Sequence, residues 1–549
     1  MRLARCCRQF RSSVLVHNRA VAAILLAVAL SAGAVFGQGH TLWQDGGVQL
    51  SGSITDAEPV ATSDSAGGAT VVWAGMWPDG THAQRIDGTG VPLWAENGVL
   101  LCDSTGDGTL GVTSDGEHGV IAVWSNSGRP FAVQRVSAEG VPLWGSYGLT
   151  LRLPAYHLVD IPALVHDGHG GAIVAWIARP WDSDLLDTLI ACRVDGAGNK
   201  KWETVVSIDT LEDVPPHLCP DGLGGVIIAW SNYSGSVHVQ RVDSAGVAGW
   251  GSAGVLACTL SVPQGERACV AAGESLFVVG WFCGGNGAWQ HRAQMLDLAG
   301  RQLWGLAGAP ISGVFNSTSS AVGLSASRRG QSVWLWSENL AGTCDFFAQK
   351  LDSAGSRSWD TIGVLVGSSD TSQGGLSATV DDRGGAIGAW PLYHQNWDIY
   401  AQRVDSAGRL CWSDTGLAVC RDIYNQRWAP HVVTDGAGGA IVAWSDARGI
   451  FAQRVADGAA VEEAPSAEVR ATNAGPTVFR GVLFLPKSVR PSASASSSAN
   501  WLLDAAGRKV AVLHTGANDV SAFAPGVYFV RLESRGASHK PFAKVVVTK

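Results

Sequence analysis

Several chemistries are missing from this sequence. Its cysteines form no CxxC pair, so a structural zinc site has no obvious ligands. No D-x-D-x-D-G run is present, which removes the loop type of calcium site. Basic charge is scarce: 39 Lys and Arg stand against 47 acids, and charged residues make up only 16% of the chain. The first 37 residues hold five arginines and no acid, so removing them takes the formal charge from −8 to −13. A chain that acidic is a poor partner for nucleic acid or anionic lipid. Beyond the N-terminal region, no stretch is long and apolar enough to span a membrane.

The N-terminal region itself reads as a secretory signal over residues 1–37. Arg2, Arg5, Arg8, Arg11 and Arg19 form a basic start, Val21 to Phe36 is an apolar run, and Val35 and Gly37 fit cleavage before Gln38. Sixteen apolar residues are short for an uncleaved anchor. No cysteine follows the run to carry a lipid. Nine of the eleven cysteines remain after cleavage, and in an oxidising compartment Cys411 and Cys420 are candidates to bridge neighbouring strands.

What the chain does have is glycine (69), tryptophan (23) and repetition. Eight anchor tryptophans, Trp73, Trp124, Trp176, Trp230, Trp281, Trp336, Trp390 and Trp444, follow one another at 51, 52, 54, 51, 55, 54 and 54 residues. Each is followed by a second marker of the type Ala83-Gln84-Arg85. A third marker is the tryptophan at Trp43, Trp94, Trp144, Trp202, Trp250, Trp304, Trp359 and Trp412. Within one unit the pattern is all β: a run such as Ala440 to Trp444, apolar throughout, fits a strand buried on both faces. Four short strands in roughly 50 residues, repeated, predict propeller blades.

The Asp-Gly-x-Gly-Gly motif, as at Asp435 to Gly439, supplies positive-φ positions for a tight reversal between strands. Copies five and six lack it (Ala272-Gly273-Glu274, Arg328-Arg329-Gly330), so their turns are expected to differ. The anchor tryptophans are expected between blades, and the repeated Gln and Arg are read as structural because similarity among copies tracks packing. Two blade frames fit the markers. Either eight whole blades follow one another, or Thr41 to Leu50 completes the last blade and locks the ring.

The copies vary most between the anchor Trp and the second marker. There copies one, three, five and seven carry Trp77, Trp181, Trp289 and Trp397 beside polar residues such as Asp182, Asp184, Asn286, Asn396 and Asp398. Equivalent loops share one propeller face. Tryptophans there could stack on sugar rings or grip a peptide, or each could cap its own loop.

After Val455 the pattern stops. Residues 459–474 read as a linker, and 475–549 as a small all-β domain with strands near Val478–Leu485, Trp501–Asp504, Lys509–His514, Val527–Leu532 and Lys544–Val547. Its LLDAAGRKV, PGVYFVRL and terminal KVVVTK runs resemble the C-terminal sorting domain of the type IX secretion pathway, a small immunoglobulin-like sandwich. Asn473-Ala474-Gly475-Pro476 stands where that family has Asn-Pro. The resemblance implies passage across the outer membrane through the export machinery, then surface attachment or release.

Enzymatic propellers leave signatures to test against. The run from Val404 to Trp412 resembles the tryptophan-docking repeat of quinoprotein dehydrogenases, one residue short, but without the signal segment the chain has no adjacent cysteines. The Asp-to-Trp spacing of nine, Asp435 to Trp444, does not fit the five of a sialidase Asp-box. No nucleophile elbow is present. The expectation is therefore an all-β chain: a signal segment, an eight-bladed β-propeller over residues 38–458, and a C-terminal immunoglobulin-like β-sandwich. It is expected to be secreted or displayed on the outer-membrane surface. Its expected role is non-catalytic binding of a glycan or protein, with no cofactor or metal and no transmembrane segment once the signal is removed. The alternatives are an extracellular hydrolase of polysaccharide or peptide, and a purely structural surface component.

Overall fold

The computed structural model describes residues 39–457 apart from short connections (53–58, 76–79, 103–109, 127–128, 152–155, 159–161, 181–184, 213, 259–263, 272–274, 286–287, 315–318, 327–329, 341–342, 370–374, 394–395 and 422–429). Beyond these it describes 477–480, 482–485, 500–503, 508–513, 516–519, 526–531 and 542–548. The expected signal segment, 1–37, and the expected linker, 459–474, lie outside the described residues. By internal contacts the chain divides into two units, Met1–Ala459 and Ala460–Lys549. Among the described residues there is no helix, and none therefore long and apolar enough to cross a membrane.

The first unit is an eight-bladed propeller. Each blade is an antiparallel sheet whose strands follow one another outward from the axis, as in Val60–Ser63, Ala69–Gly75, Gly80–Ile86 and Val99–Cys102 of the first. The innermost strands neighbour one another in a ring, and Val60–Ser63 of the first blade meets His431–Thr434 of the eighth. The second strand is buried from end to end, in the eighth blade Ala440–Asp446. That explains its uninterrupted apolar run.

The structure chooses between the two frames. The eighth blade takes its outermost strand from the N terminus: Gly39–Thr41 and Val48–Ser51 both pair antiparallel with Gly449–Asp457, in register Gly39↔Asp457 and Val48↔Ala452. The ring is therefore closed by hydrogen bonds between residues more than 400 positions apart, such as the Trp43 N–H to Gln453 Oε1 at 2.9 Å.

The core lies in the seams between blades. Trp444 is fully buried in a cluster that joins Ile387, Ala389, Val419 and Cys420 of the seventh blade to Val442 and Phe451 of the eighth. The seams are tight enough to require glycine in places. A Cβ on Gly367, in the outermost strand of the sixth blade, would lie 2.3 Å from Trp390 Cζ2 of the seventh.

Six turns of the form Asp-x-x-x-Gly share one construction. The carboxylates of Asp64, Asp115, Asp167, Asp221, Asp381 and Asp435 are buried, and one oxygen of each accepts the backbone N–H groups two and four residues on, at 2.6–2.9 Å. The left-handed positions of the turn accept Ser65, His118 and Asp382 as well as glycine, but the fourth residue after each aspartate is always glycine, because a Cβ there, as on Gly439, would lie 2.4 Å from the Val455 carbonyl oxygen.

The second unit has two sheets. One orders Thr477–Arg480, Phe542–Thr548, Gly526–Arg531, Asn500–Leu503 and Lys509–Leu513; the other pairs Val482–Leu485 with Gly516–Asp519. The strand expected over Val478–Leu485 is thus two strands, one in each sheet. Gly516–Asp519 had no counterpart in the sequence reading, because it lacks the apolar alternation that marks a strand.

Candidate ligand-binding face

Most of the repeated polar residues hold the ring together. The second oxygen of each turn aspartate takes the guanidinium of the second marker, pairing Arg85, Arg135, Arg193, Arg241, Arg403 and Arg454 with their blade's Asp at 2.8–3.0 Å. Several of these arginines also reach the next blade, as Arg454 does to the Gly88 carbonyl at 2.8 Å. The marker glutamines Gln84, Gln134, Gln240, Gln294, Gln349, Gln402 and Gln453 accept the backbone N–H of the third-marker tryptophan at 2.8–3.1 Å. In the third blade Cys192 takes the glutamine's place.

That tryptophan donates its indole N–H across the seam at 2.9–3.3 Å. The acceptor is a turn carbonyl of the next blade or, for Trp412, the Asp457 carboxylate. Arg403 also pairs with Asp457. Four repeated side-chain types, Asp, Arg, Gln and the third-marker Trp, are thus committed to architecture.

Because strands alternate in direction within a blade, these contacts all lie on one face. The opposite face carries the hairpins between second and third strands and the connections from blade to blade. The four candidate tryptophans belong to those hairpins. Trp77 and Trp181 lie outside the described residues. Trp289 opens the third strand of the fifth blade (Ala288–Asp297), and Trp397 opens that of the seventh (Trp397–Val404); both are half-buried. The structure places these two on the same face, two blades apart. Each packs first on its own hairpin. Trp289 lies nearly flat on Phe282, with ring centroids 4.7 Å apart and planes at 14°. Trp397 stands at 60° to Tyr393, 5.4 Å away.

Toward this face blades five and six have the longest unbroken innermost strands among the described residues, whereas the third blade divides its inner edge between Tyr156–Leu158 and Ala163–His166. The innermost strands of the fifth and sixth, Gln264–Ala271 and Ser319–Ala326, have eight residues each, against four in the first blade, and the extra residues precede the shared register. The fifth-blade hairpin is also long, Leu276–Gly285 with Ala288–Asp297. At the seam below it, His291 Nε2 lies 3.6 Å from Glu338 Oε1, and both side chains are buried. Neither residue was legible as a site residue, since neither belongs to a motif or recurs in other copies. Elsewhere on the face, Arg448 lies 4.5 Å over the Phe451 ring and pairs with the buried Asp446, and Arg421 donates to Tyr400 Oη at 3.0 Å.

Of the eight cysteines whose side chains are described, seven are buried and Cys411 is half-buried. All eight are thiols, so Cys411 and Cys420 do not bridge. Cys411 Sγ instead faces the Arg409 carbonyl, and Cys420 is packed in the seam beside Trp444. Burial pushes the Cys283, Cys344 and Cys411 thiols up to about 11, and Cys192 to about 12, so they stay protonated and unreactive at neutral pH. Among the described residues no three His, Cys, Asp or Glu side chains converge as metal ligands.

No protein-family model matches the chain, and neither does any curated protein. Among solved structures it is similar to the BP39L lectin from Burkholderia pseudomallei, at 13% identity and a TM-score of 0.45 over 67% of this chain and 99% of the lectin. It is also similar to prolyl oligopeptidase B from Galerina marginata (12%, TM-score 0.38, 77% and 57% of the two chains). A third is Hadza microbial sialidase Hz136 (11%, TM-score 0.33, 62% and 73%). Likeness at these scores carries no argument about what this chain binds.

Proposed function

We propose that this chain is a secreted or surface-displayed, non-catalytic glycan-binding protein that uses the hairpin face of its propeller. The observation that carries the reading is the flat stack of Trp289 on Phe282. A ring held by a second ring loses little conformational freedom when a sugar packs on its outer side, and indoles suit that contact. The Trp397–Tyr393 pair offers a second such place on the same face, and Trp77 and Trp181 extend the set to alternate blades. The commitment of the Asp, Arg and Gln repeats to hydrogen bonds within the ring supports a binding role over catalysis.

The test incubates the whole secreted chain with cellulose, chitin, xylan and soluble glucans, beside a variant with Ala at Trp77, Trp181, Trp289 and Trp397. Retention on a polysaccharide that is lost in the folded variant is the expected result. Equal retention by the variant removes the tryptophans from the site. Capture of a protein but of no glycan moves the ligand class, and sugar release replaces binding with hydrolysis. Export is part of the proposal: residues 1–37 as a cleaved signal and 475–549 as an immunoglobulin-like sorting domain. Truncation after Ala460 should leave a folded propeller that no longer reaches the cell surface.

A further inference from the structure

His291 occupies a place that other blades give to the core. By register with the first residue of the second marker it corresponds to the buried apolar Phe131, Leu189, Val237, Phe346, Ile399 and Ile450 in six blades and to the small buried Thr81 in the first. An imidazole there forgoes apolar packing, and a carboxylate buried beside it adds a desolvation cost of several kcal/mol before pairing. Packing alone explains neither residue. Their surroundings offer an explanation. The His291 ring lies 5.0 Å from Phe282, which carries Trp289, and 5.5 Å from Trp336, the anchor of the sixth blade. Its backbone N–H donates to Ser312 Oγ at 2.9 Å, and Glu338 approaches its Nε2 from the sixth blade. An unbroken file of rings therefore runs from the half-buried Trp289 into the seam, and its imidazole lies 3.6 Å from a carboxylate of the neighbouring blade.

We propose that His291 and Glu338 are positioning residues for a principal ligand subsite on the fifth blade. Glu338 fixes the imidazole, the imidazole supports Phe282, and Phe282 sets the angle at which Trp289 presents its outer side. The chemistry that fits is the apolar side of a pyranose ring, which needs a fixed, flat indole. The subsite rests on the glycan-binding reading, but the positioning of Trp289 can be measured without any ligand.

The experiment compares the full-length protein with Glu338→Gln, which keeps volume and removes the charge, and with His291→Val, which installs the residue found in the fourth blade. N-bromosuccinimide oxidises indoles according to their accessibility, and peptide mass mapping follows Trp289 and Trp397 separately in the same sample. The expected result is a several-fold faster oxidation of Trp289 in both variants with Trp397 unchanged. Binding to whichever polysaccharide retains the parent protein should weaken several-fold in parallel. Unchanged Trp289 reactivity in both variants, or an equal rise at both indoles, overturns the positioning role. If Trp289 responds as expected and no polysaccharide binds the parent, the positioning stands and the glycan reading fails.

Discussion

Six blades carry a buried aspartate–arginine pair; the fifth and sixth do not. In the fifth, Met295 stands at the arginine position and is buried, and in the sixth Lys350 does, with its ammonium on the Gly384 carbonyl. The turn aspartate is gone from both sequences. Loss of the acid and loss of the guanidinium go together, as expected when an unpaired buried partner costs more than the pair contributes. The same two blades have the longest unbroken inner strands among the described residues and hold the His291–Glu338 pair across their seam. Where the shared clamp is given up on one face, unrepeated chemistry has been built on the other.

The largest expected effect tests what all eight blades share. Trp444→Ala should lower stability by about 3–5 kcal/mol, the usual cost of emptying a large buried aromatic site, read from urea unfolding. Trp444→Phe should cost clearly less, because the Trp444 indole N–H meets no acceptor. A Trp412→Phe change breaks the hydrogen bond to Asp457 as well.

Next in size is the clamp itself. Asp167→Ala leaves Arg193, only 16% exposed, without its partner and uncaps two backbone N–H groups. A loss of about 3 kcal/mol is expected. Adding Arg193→Met, which copies the fifth blade, should recover a substantial part of it in a double-mutant cycle. Simple additivity of the two losses would mean that the fifth blade is stabilised in some other way.

The smallest effect concerns pH and the closing seam. The Ala61 N–H of the first blade donates to His431 Nδ1 of the eighth at 3.3 Å, and the corresponding donor one seam earlier uses Ser377 Oγ. Burial pushes the His431 imidazole down to about 4, against about 6.5 in the unfolded chain. Between those values the unfolded state binds more protons, so this contribution is complete above about pH 6.5 and is lost as pH falls toward 4. Midpoints of urea unfolding at pH 7 and pH 5 should therefore differ less in His431→Ser than in the parent protein.

The ring of blades was legible because its evidence was multiplied. Eight tryptophans at one spacing give the same packing answer eight times, and the Asp-Gly motif names its own turn. The frame was not legible, because the third-marker tryptophan docks across a seam and serves either way of cutting the chain. The partnership of marker arginine with turn aspartate is a contact between elements about 20 residues apart, visible only once the register is known. His291 and Glu338 were silent for the opposite reason: each occurs once, in the two copies that depart from the pattern. Repetition reveals architecture and conceals whatever a single blade does differently.

The shared outermost strand also has a consequence in time. Residues 39–51 are the first part of the propeller to be synthesised and the last to be seated, since their partners at 449–457 are the last to arrive. Closing a loop eight times longer than one blade costs only about 2 kcal/mol more in chain entropy, so the completed latch loses little at equilibrium. Its order is strict nonetheless. Seven blades can fold behind the leading end while that segment waits, and any chain that stops short of Gly449 leaves its first strand with no edge to join.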